Sequence, residues 1–251
     1  MKISAKQKIE TRQAILDAAV ALIIEKGFRA TSMRAIAQQA GVGDATIYNY
    51  FPTKEAIFFA YYEDRFAQAA ASLQRIEGLD EHSFQERLQA FFEEILHAFL
   101  PDREFLQATF HSVFFSIPPN SRELRPIQEP FFATVSAAFA AAREKGEFED
   151  MLFEEIIVRL FWDYCIGIVL YWLKDASERF TATSVLIDKT MDLGCALLRA
   201  NVATKAYDIC SFLFRSHVLA RLESMRPGAD ALKTIVTAFM EGGDGRKSTK
   251  R

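Results

Sequence analysis

Asp44, Thr46, Tyr48 and Asn49 crowd hydrogen-bonding side chains into a short segment directly after Gly41-Val42-Gly43. The chemistry this offers is the reading of base edges, because a B-DNA major groove admits a helix and each base pair presents a distinct donor and acceptor pattern there. Ala45 or the Thr46 methyl would meet a thymine methyl, Asn49 would pair with adenine, and Asp44 would accept from the N4 amino group of cytosine. Against a line of phosphates an aspartate is costly, so Asp44 either reads a base donor or lowers affinity for wrong sequences. No other segment of the chain carries a comparable signature.

Two short helices must position these side chains. Ser32 stands where an N-cap belongs, and Ile36, Ala37 and Ala40 then share one helical face. Gly41 is placed to end that helix in the left-handed conformation, and Val42 and Ile47 close the small core beneath. The reading unit therefore spans residues 32–51. The same spacing also suits an ordinary helical hairpin of an all-α protein. Upstream, a helix from about Ile9 to Lys26 ends at Gly27, with Ile15, Leu16, Ala19, Leu22 and Ile23 inward. Downstream, Pro52 forces a break, Thr53 is an N-cap, and a helix from Lys54 to about Arg75 leads away from the head.

The segments Thr11-Arg12-Gln13-Ala14-Ile15-Leu16-Asp17-Ala18-Ala19, Gly27-Phe28-Arg29-Ala30-Thr31-Ser32 and Thr46-Ile47-Tyr48-Asn49-Tyr50-Phe51-Pro52-Thr53-Lys54-Glu55-Ala56-Ile57 resemble, in register, the N-terminal domain of the tetracycline-repressor family. The resemblance implies a two-fold symmetric dimer whose variable C-terminal domain binds a small molecule and so controls operator binding. It implies that Thr31, Ser32, Arg34, Tyr50 and Lys54 hold phosphates, while Gly43, Asp44, Ala45, Thr46, Tyr48 and Asn49 approach bases or their flanking phosphates. Either Tyr48 or Tyr50 is alternatively a packing residue under the first helix. The family often has Ser or Thr where Gly43 stands and a basic or small residue where Asp44 stands. That start is where sequence preference should depart from the relatives.

With 251 residues, half of them hydrophobic, the chain can bury a sizeable core. Its net charge is -3, yet residues 1–55 hold eight Lys or Arg against five acids, so the basic excess is local to the head and the remainder is repelled by DNA. Cys165, Cys195 and Cys210 are singly placed in apolar patterns and read as reduced core residues of a cytoplasmic protein. The N-terminus lacks the apolar run of a signal peptide, and the apolar stretch from Tyr164 to Leu173 is about half a membrane span, which argues for a buried helix and no membrane.

Periodicity is helical throughout, so the fold class is all-α. The resemblance then implies an N-terminal three-helix DNA-binding domain over 9–69 and a larger helical effector-binding and dimerisation domain over 70–241, and the composition of 242–251 predicts a mobile tail. Helices are expected from Ser83 to Leu100, Asp102 to Phe115, Arg122 or Pro126 to Lys145 before Gly146, Phe153 to Lys174 and Thr183 to Asn201. Further pieces follow near Thr204 to Arg226 and Asp230 to Met240. Aromatic residues concentrate between 105 and 172. They either enclose an apolar cavity, in which Phe110, His111, Phe114, Arg159, Trp162, Tyr164 and Tyr171 would meet an apolar or aromatic effector, or fill the core and dimer seam. The helices around 153–174 and 183–201 are apolar on more than one face, with Gly167, Gly194 and Ala196 allowing close approach. By the resemblance they are the four-helix homodimer seam, and otherwise central helices of a monomer.

Enzyme chemistry is not supported. His82, His97, His111 and His217 are dispersed, no metal or cofactor motif is present, and Glu93-Glu94 and Glu154-Glu155 point about 100° apart on their helices. The expectation is a ligand-responsive repressor that binds double-stranded operator DNA, with a constitutive DNA-binding architectural protein as the alternative.

Overall fold

The computed structural model describes residues 4–116, 118, 121–148, 151, 153–202, 205, 207 and 209. The chain divides into two units, Met1–Asn201 and Val202–Arg251, and all the helices below belong to the first. The pieces expected beyond Thr204 and the tail over 242–251, with Cys210 and His217, lie outside the described residues or almost wholly so.

Helix α1 (Ala5–Lys26) starts before the expected Ile9 because Ser4 and Gln7 cap it reciprocally, each accepting from the other's backbone amide. It buries Ile15, Leu16, Ala19, Leu22 and Ile23, the face that periodicity predicts. Helices α2 (Met33–Gln39) and α3 (Asp44–Tyr50) form the expected pair, and α4 (Lys54–Leu73) follows with Thr53 Oγ1 accepting from the Ala56 amide at 3.1 Å. The expected domain boundary after residue 69 falls inside α4, which is continuous across it.

Beyond α4 lie α5 (Phe84–Phe99), α6 (Arg103–Phe114), α7 (Arg125–Glu144), α8 (Glu154–Lys174) and α9 (Thr181–Arg199). Ser83 and Glu86 cap α5, and Gly146 follows α7 at φ +73°, the left-handed position expected of it. Among the described residues there is no strand, and the fold is all-α. Helix α4 is the centre of the first unit: it packs on α5 and α7, and touches α1 and α6. By length and composition alone α8, longer than its most apolar run, would suffice to cross a membrane. It packs on α6, α7 and α9 with one face, burying Val158, Trp162, Cys165, Val169 and Trp172.

The turn into α9 has two left-handed residues that are not glycine, Arg179 (φ 53°) and Phe180 (φ 58°). Conformations of this kind cost about 1–2 kcal/mol each and persist where neighbours over-determine them. Here the Phe180 ring lies 5.6 Å from Trp172 and the Arg103 guanidinium 5.1 Å above it. The Asp175 carboxylate accepts from the Ser177 amide (2.8 Å), the Thr183 amide (2.9 Å) and the Thr183 hydroxyl (2.6 Å). These bonds, chiefly those from Thr183 and then Ser177, hold its carboxyl well below the usual carboxylate range. A depressed native value means stability that is complete above the ordinary aspartate pKa and lost as pH falls through the native one. Asp175→Asn should therefore lower the thermal midpoint at neutral pH and flatten its fall in acid. A wild-type acid limb in the variant would contradict this.

Cys165 and Cys195 are buried and unpaired. Burial pushes both thiols up, Cys195 to about 11, so neither is a thiolate at neutral pH.

Candidate nucleic-acid interface and ligand cavity

Ser32 Oγ accepts from the Ala35 amide at 3.2 Å and starts α2, and Gly41 (φ +68°) turns the chain after Ala40. Ile36, Ala37 and Ile47 are fully buried, and Val42 packs partly against them, so the small core forms as its apolar residues dictate. This leaves Asp44, Ala45, Tyr48 and Asn49 exposed along α3, Thr46 and Tyr50 half-buried, and Ser32, Arg34 and Gly43 exposed beside them. Of the two tyrosines, Tyr50 is the one packed against the core, and Tyr48 is 54 % exposed.

Two residues expected to hold phosphates are engaged otherwise. Thr31 is 2 % exposed, and its hydroxyl donates to the Gly27 carbonyl at 2.9 Å with the Leu22 carbonyl at 3.2 Å. Its side chain fastens the end of α1 and has no group left for a phosphate. Lys54 turns inward: its Nζ donates to the carbonyls of Phe28 (2.6 Å) and Thr31 (2.8 Å) and stands 3.9 Å over the Phe28 ring centroid. It clamps the start of α4 onto the turn that precedes α2. The family resemblance implied a phosphate role for both, and nothing in the linear sequence reveals a carbonyl more than twenty residues away (Phe28 from Lys54).

Arg34 Nε lies 3.8 Å from Asp44 Oδ2, and both side chains are exposed. Such a pair is worth about 0–1 kcal/mol in water, so phosphate can take Arg34 from it. Asp44→Ala should therefore tighten binding to operator and unrelated duplex alike, by roughly three- to tenfold at low salt, through loss of repulsion and release of Arg34. A changed base preference without that general gain would instead mark Asp44 as a base reader.

A polar network missed in the sequence binds the head to the rest. Arg12 on α1 donates to Asp64 on α4 at 2.5 Å, and Asp102 before α6 accepts from Tyr61 Oη (3.0 Å) and Arg65 (2.7 Å) on α4. Burial, then the Asp102 charge, pushes the Tyr61 hydroxyl up, so it stays protonated and donates. Beside this network an open groove of about 670 Å³ runs between α1 and α4, over Leu16, Val20 and Tyr61. Aromatic packing makes a second connection: Phe28 lies 5.1 Å from Phe58 on α4, which lies 5.7 Å from Phe105 on α6.

The aromatic concentration is packed core. Phe110 and Phe114 are buried with ring centroids 4.5 Å apart, and Phe114 also lies 5.0 Å from Tyr62 on α4. Trp162 is buried at 5.3 Å from both Phe66 and Phe131. Tyr164 is half-buried, its hydroxyl 2.6 Å from Thr190 Oγ1. His111 is exposed and stacked on Phe115, and Tyr171 is exposed on α8. Of the seven residues expected to share a pocket, Phe110, Phe114 and Trp162 come together as packed rings, and His111, Arg159, Tyr164 and Tyr171 are placed elsewhere. Arg159 does face a cavity, of about 520 Å³, together with Arg125, Gln128, Glu129 and Phe132. Among the described residues no group of three His, Cys, Asp or Glu is placed to hold a metal ion.

Residues 15–61 match the family of bacterial regulatory proteins, tetR family, and residues 87–213 match the tetracyclin repressor-like C-terminal domain. The chain belongs to the tetR family. It is a DNA-binding transcriptional regulator of that family. This tetR-family chain is 26 % identical over 197 residues to the HTH-type transcriptional repressor KstR of Mycobacterium tuberculosis, covering 78 % of this chain and 84 % of that one. Over 63 residues it is 43 % identical to the fatty acid metabolism regulator protein of Bacillus subtilis, covering 25 % of this chain and 32 % of the relative. It shares its fold with Thermus thermophilus FadR, a repressor solved in complex with lauroyl-CoA, at TM-score 0.57 and 22 % identity over 72 % of this chain and 92 % of the other.

Proposed function

We propose that this tetR-family regulator is a homodimeric repressor released from its operator by an amphipathic effector with an apolar chain, of the acyl-thioester class. The observation that carries the reading is the span of α4. Its first residue, Lys54, clamps the base-reading head, and its Phe66 sits in the aromatic core against Phe131 and Trp162. A ligand that repacks that core acts on the helix that carries the head. The effector shifts the population toward a state in which the two heads no longer match successive major grooves, about 34 Å apart. The FadR relative solved with lauroyl-CoA supports the ligand class, and the KstR likeness supports repression.

The heads of the dimer are Ser32, Arg34, Gly43, Asp44, Ala45, Thr46, Tyr48, Asn49 and Tyr50, with Asp44 opposing the others. The seam is the stripe of exposed apolar residues at helical spacing, Ile156, Leu160 and Tyr171 on α8 and Leu193 and Leu197 on α9. Among the described residues nothing lies within 4 Å of where a Cβ would stand at Gly167 or Gly194, which leaves room for close backbone approach by a second copy.

Gel-shift titration of the intergenic DNA upstream of the coding region, with lauroyl-CoA added to the complex, tests the reading. A salt-sensitive specific shift that lauroyl-CoA reverses is the expected result. Absence of specific binding at moderate salt would sink it, and binding that no acyl thioester alters would leave a constitutive DNA-binding protein.

A further inference from the structure

The cavity between α7 and α8 has a composition that the aromatic core does not. Its walls present two guanidiniums, Arg125 and Arg159, one carboxylate, Glu129, the Gln128 amide and the ring of Phe132. Neither arginine is held in an ion pair with a described carboxylate within 4 Å. Arg159 lies 5.8 Å over the Phe132 ring, a contact that orients a cation without neutralising it. Arg125 is the first residue of α7, a 20-residue helix, so the positive end of the helix dipole lies at the same cavity. The Phe132 wall continues into the core: its ring is 6.1 Å from Trp162, which is 5.3 Å from Phe66 on α4.

We infer that this cavity is an anion subsite that takes the phosphate groups of the effector, with Arg125 and Arg159 as their ligands. It deepens, and rests on, the amphipathic-effector reading above. The groups on its wall fit such a ligand. Charge is met by forked donors suited to phosphate oxygens, and the Phe132 ring beside them leads on to Trp162 and the rings that touch α4. Glu129 opposes the anion and limits affinity for any small phosphate, so binding depends on the apolar part as well. A ligand without phosphate gains nothing from the two arginines, and a phosphate without an apolar chain does not reach the core.

Calorimetric titration of the full-length protein tests this with three probes: lauroyl-CoA, the phosphate-free thioester S-lauroyl-N-acetylcysteamine, and inorganic pyrophosphate. Arg125→Ala and Arg159→Ala should each weaken lauroyl-CoA binding about tenfold, the loss of one charge-assisted contact, and leave the phosphate-free thioester within about twofold. Glu129→Gln should tighten lauroyl-CoA a few-fold, a gain that a merely structural role for this surface would not produce. Arg159→Lys should recover part of the loss. Wild-type lauroyl-CoA affinity in both alanine variants, or equal weakening of both thioesters, would overturn the assignment. If neither thioester binds the wild type, the effector reading fails and pyrophosphate decides the cavity. Millimolar binding lost in the arginine variants supports the subsite, and no binding overturns it.

Discussion

Lys54→Met should abolish specific operator binding at moderate salt and lower the thermal midpoint, because it removes a clamp rather than a phosphate contact. The ammonium of Lys54 makes two charge-assisted bonds, to the Phe28 and Thr31 carbonyls, and a cation–π contact with the Phe28 ring. Methionine keeps the stem and drops all of these. A hydrogen bond to a charged group is worth about 1.5–3 kcal/mol, so a loss of roughly 2–4 kcal/mol is expected. Much of it falls on the turn that sets Ser32, the cap of α2, and in a dimer it falls on both heads. The salt dependence separates the two roles of this lysine. A phosphate contact would reduce the slope of log affinity against log salt by about 0.9 per head, with little change in melting. A clamp leaves the slope of whatever binding remains and shifts the midpoint. Unchanged melting with a reduced slope would restore the phosphate role.

The contrast at Lys54 shows what a linear reading reaches. Caps and turns are legible because their partners are close in sequence: Ser32 with the Ala35 amide, Thr53 with the Ala56 amide, and Gly41 and Gly146 at the left-handed positions their neighbours require. The exposed face of α3 is legible for the same reason, since Ile47 must point inward and so sets the direction of Tyr48 and Asn49. The contacts of Thr31 and Lys54 were not legible because their polar groups are taken up by carbonyls that only the folded turn brings near. Arg12 with Asp64, and Arg65 with Asp102, are separated by 52 and 37 residues, and nothing in the pattern of either segment announces the partner. The aromatic residues posed a different problem. Core and pocket draw on the same side chains, and ring-to-ring distances alone tell them apart. Arg125 escaped notice because a charged residue at a helix start looks like an ordinary solvated position until the cavity beside it is seen.

Phe66→Ala should be strongly destabilising. The ring is fully buried on α4 and lies 5.5 Å from Phe99, 5.3 Å from Trp162 and 6.4 Å from Phe131. These neighbours belong to α5, α7 and α8, which cannot all collapse into the space left, so both the transfer and the cavity contributions are lost. About 3–5 kcal/mol is expected for such a truncation. At roughly 2–4 °C per kcal/mol for a chain of this size, the midpoint should fall by about 6–20 °C. The hole would be apolar and about the size of a benzene ring, and small aromatics bind holes of that kind. Benzene or indole should therefore raise the midpoint of Phe66→Ala by mass action and leave the wild type unmoved. This separates a packed aromatic core from a preformed pocket. A wild-type midpoint that rises with indole would mean that the rings already leave room for a ligand. A variant that melts within about 2 °C of wild type, less than the shift expected for one kcal/mol, would mean that Phe66 is not held as its ring distances imply. If the variant folds and binds operator, its response to lauroyl-CoA should be the property most impaired, since Phe66 is where α4 meets the rings that continue from Phe132.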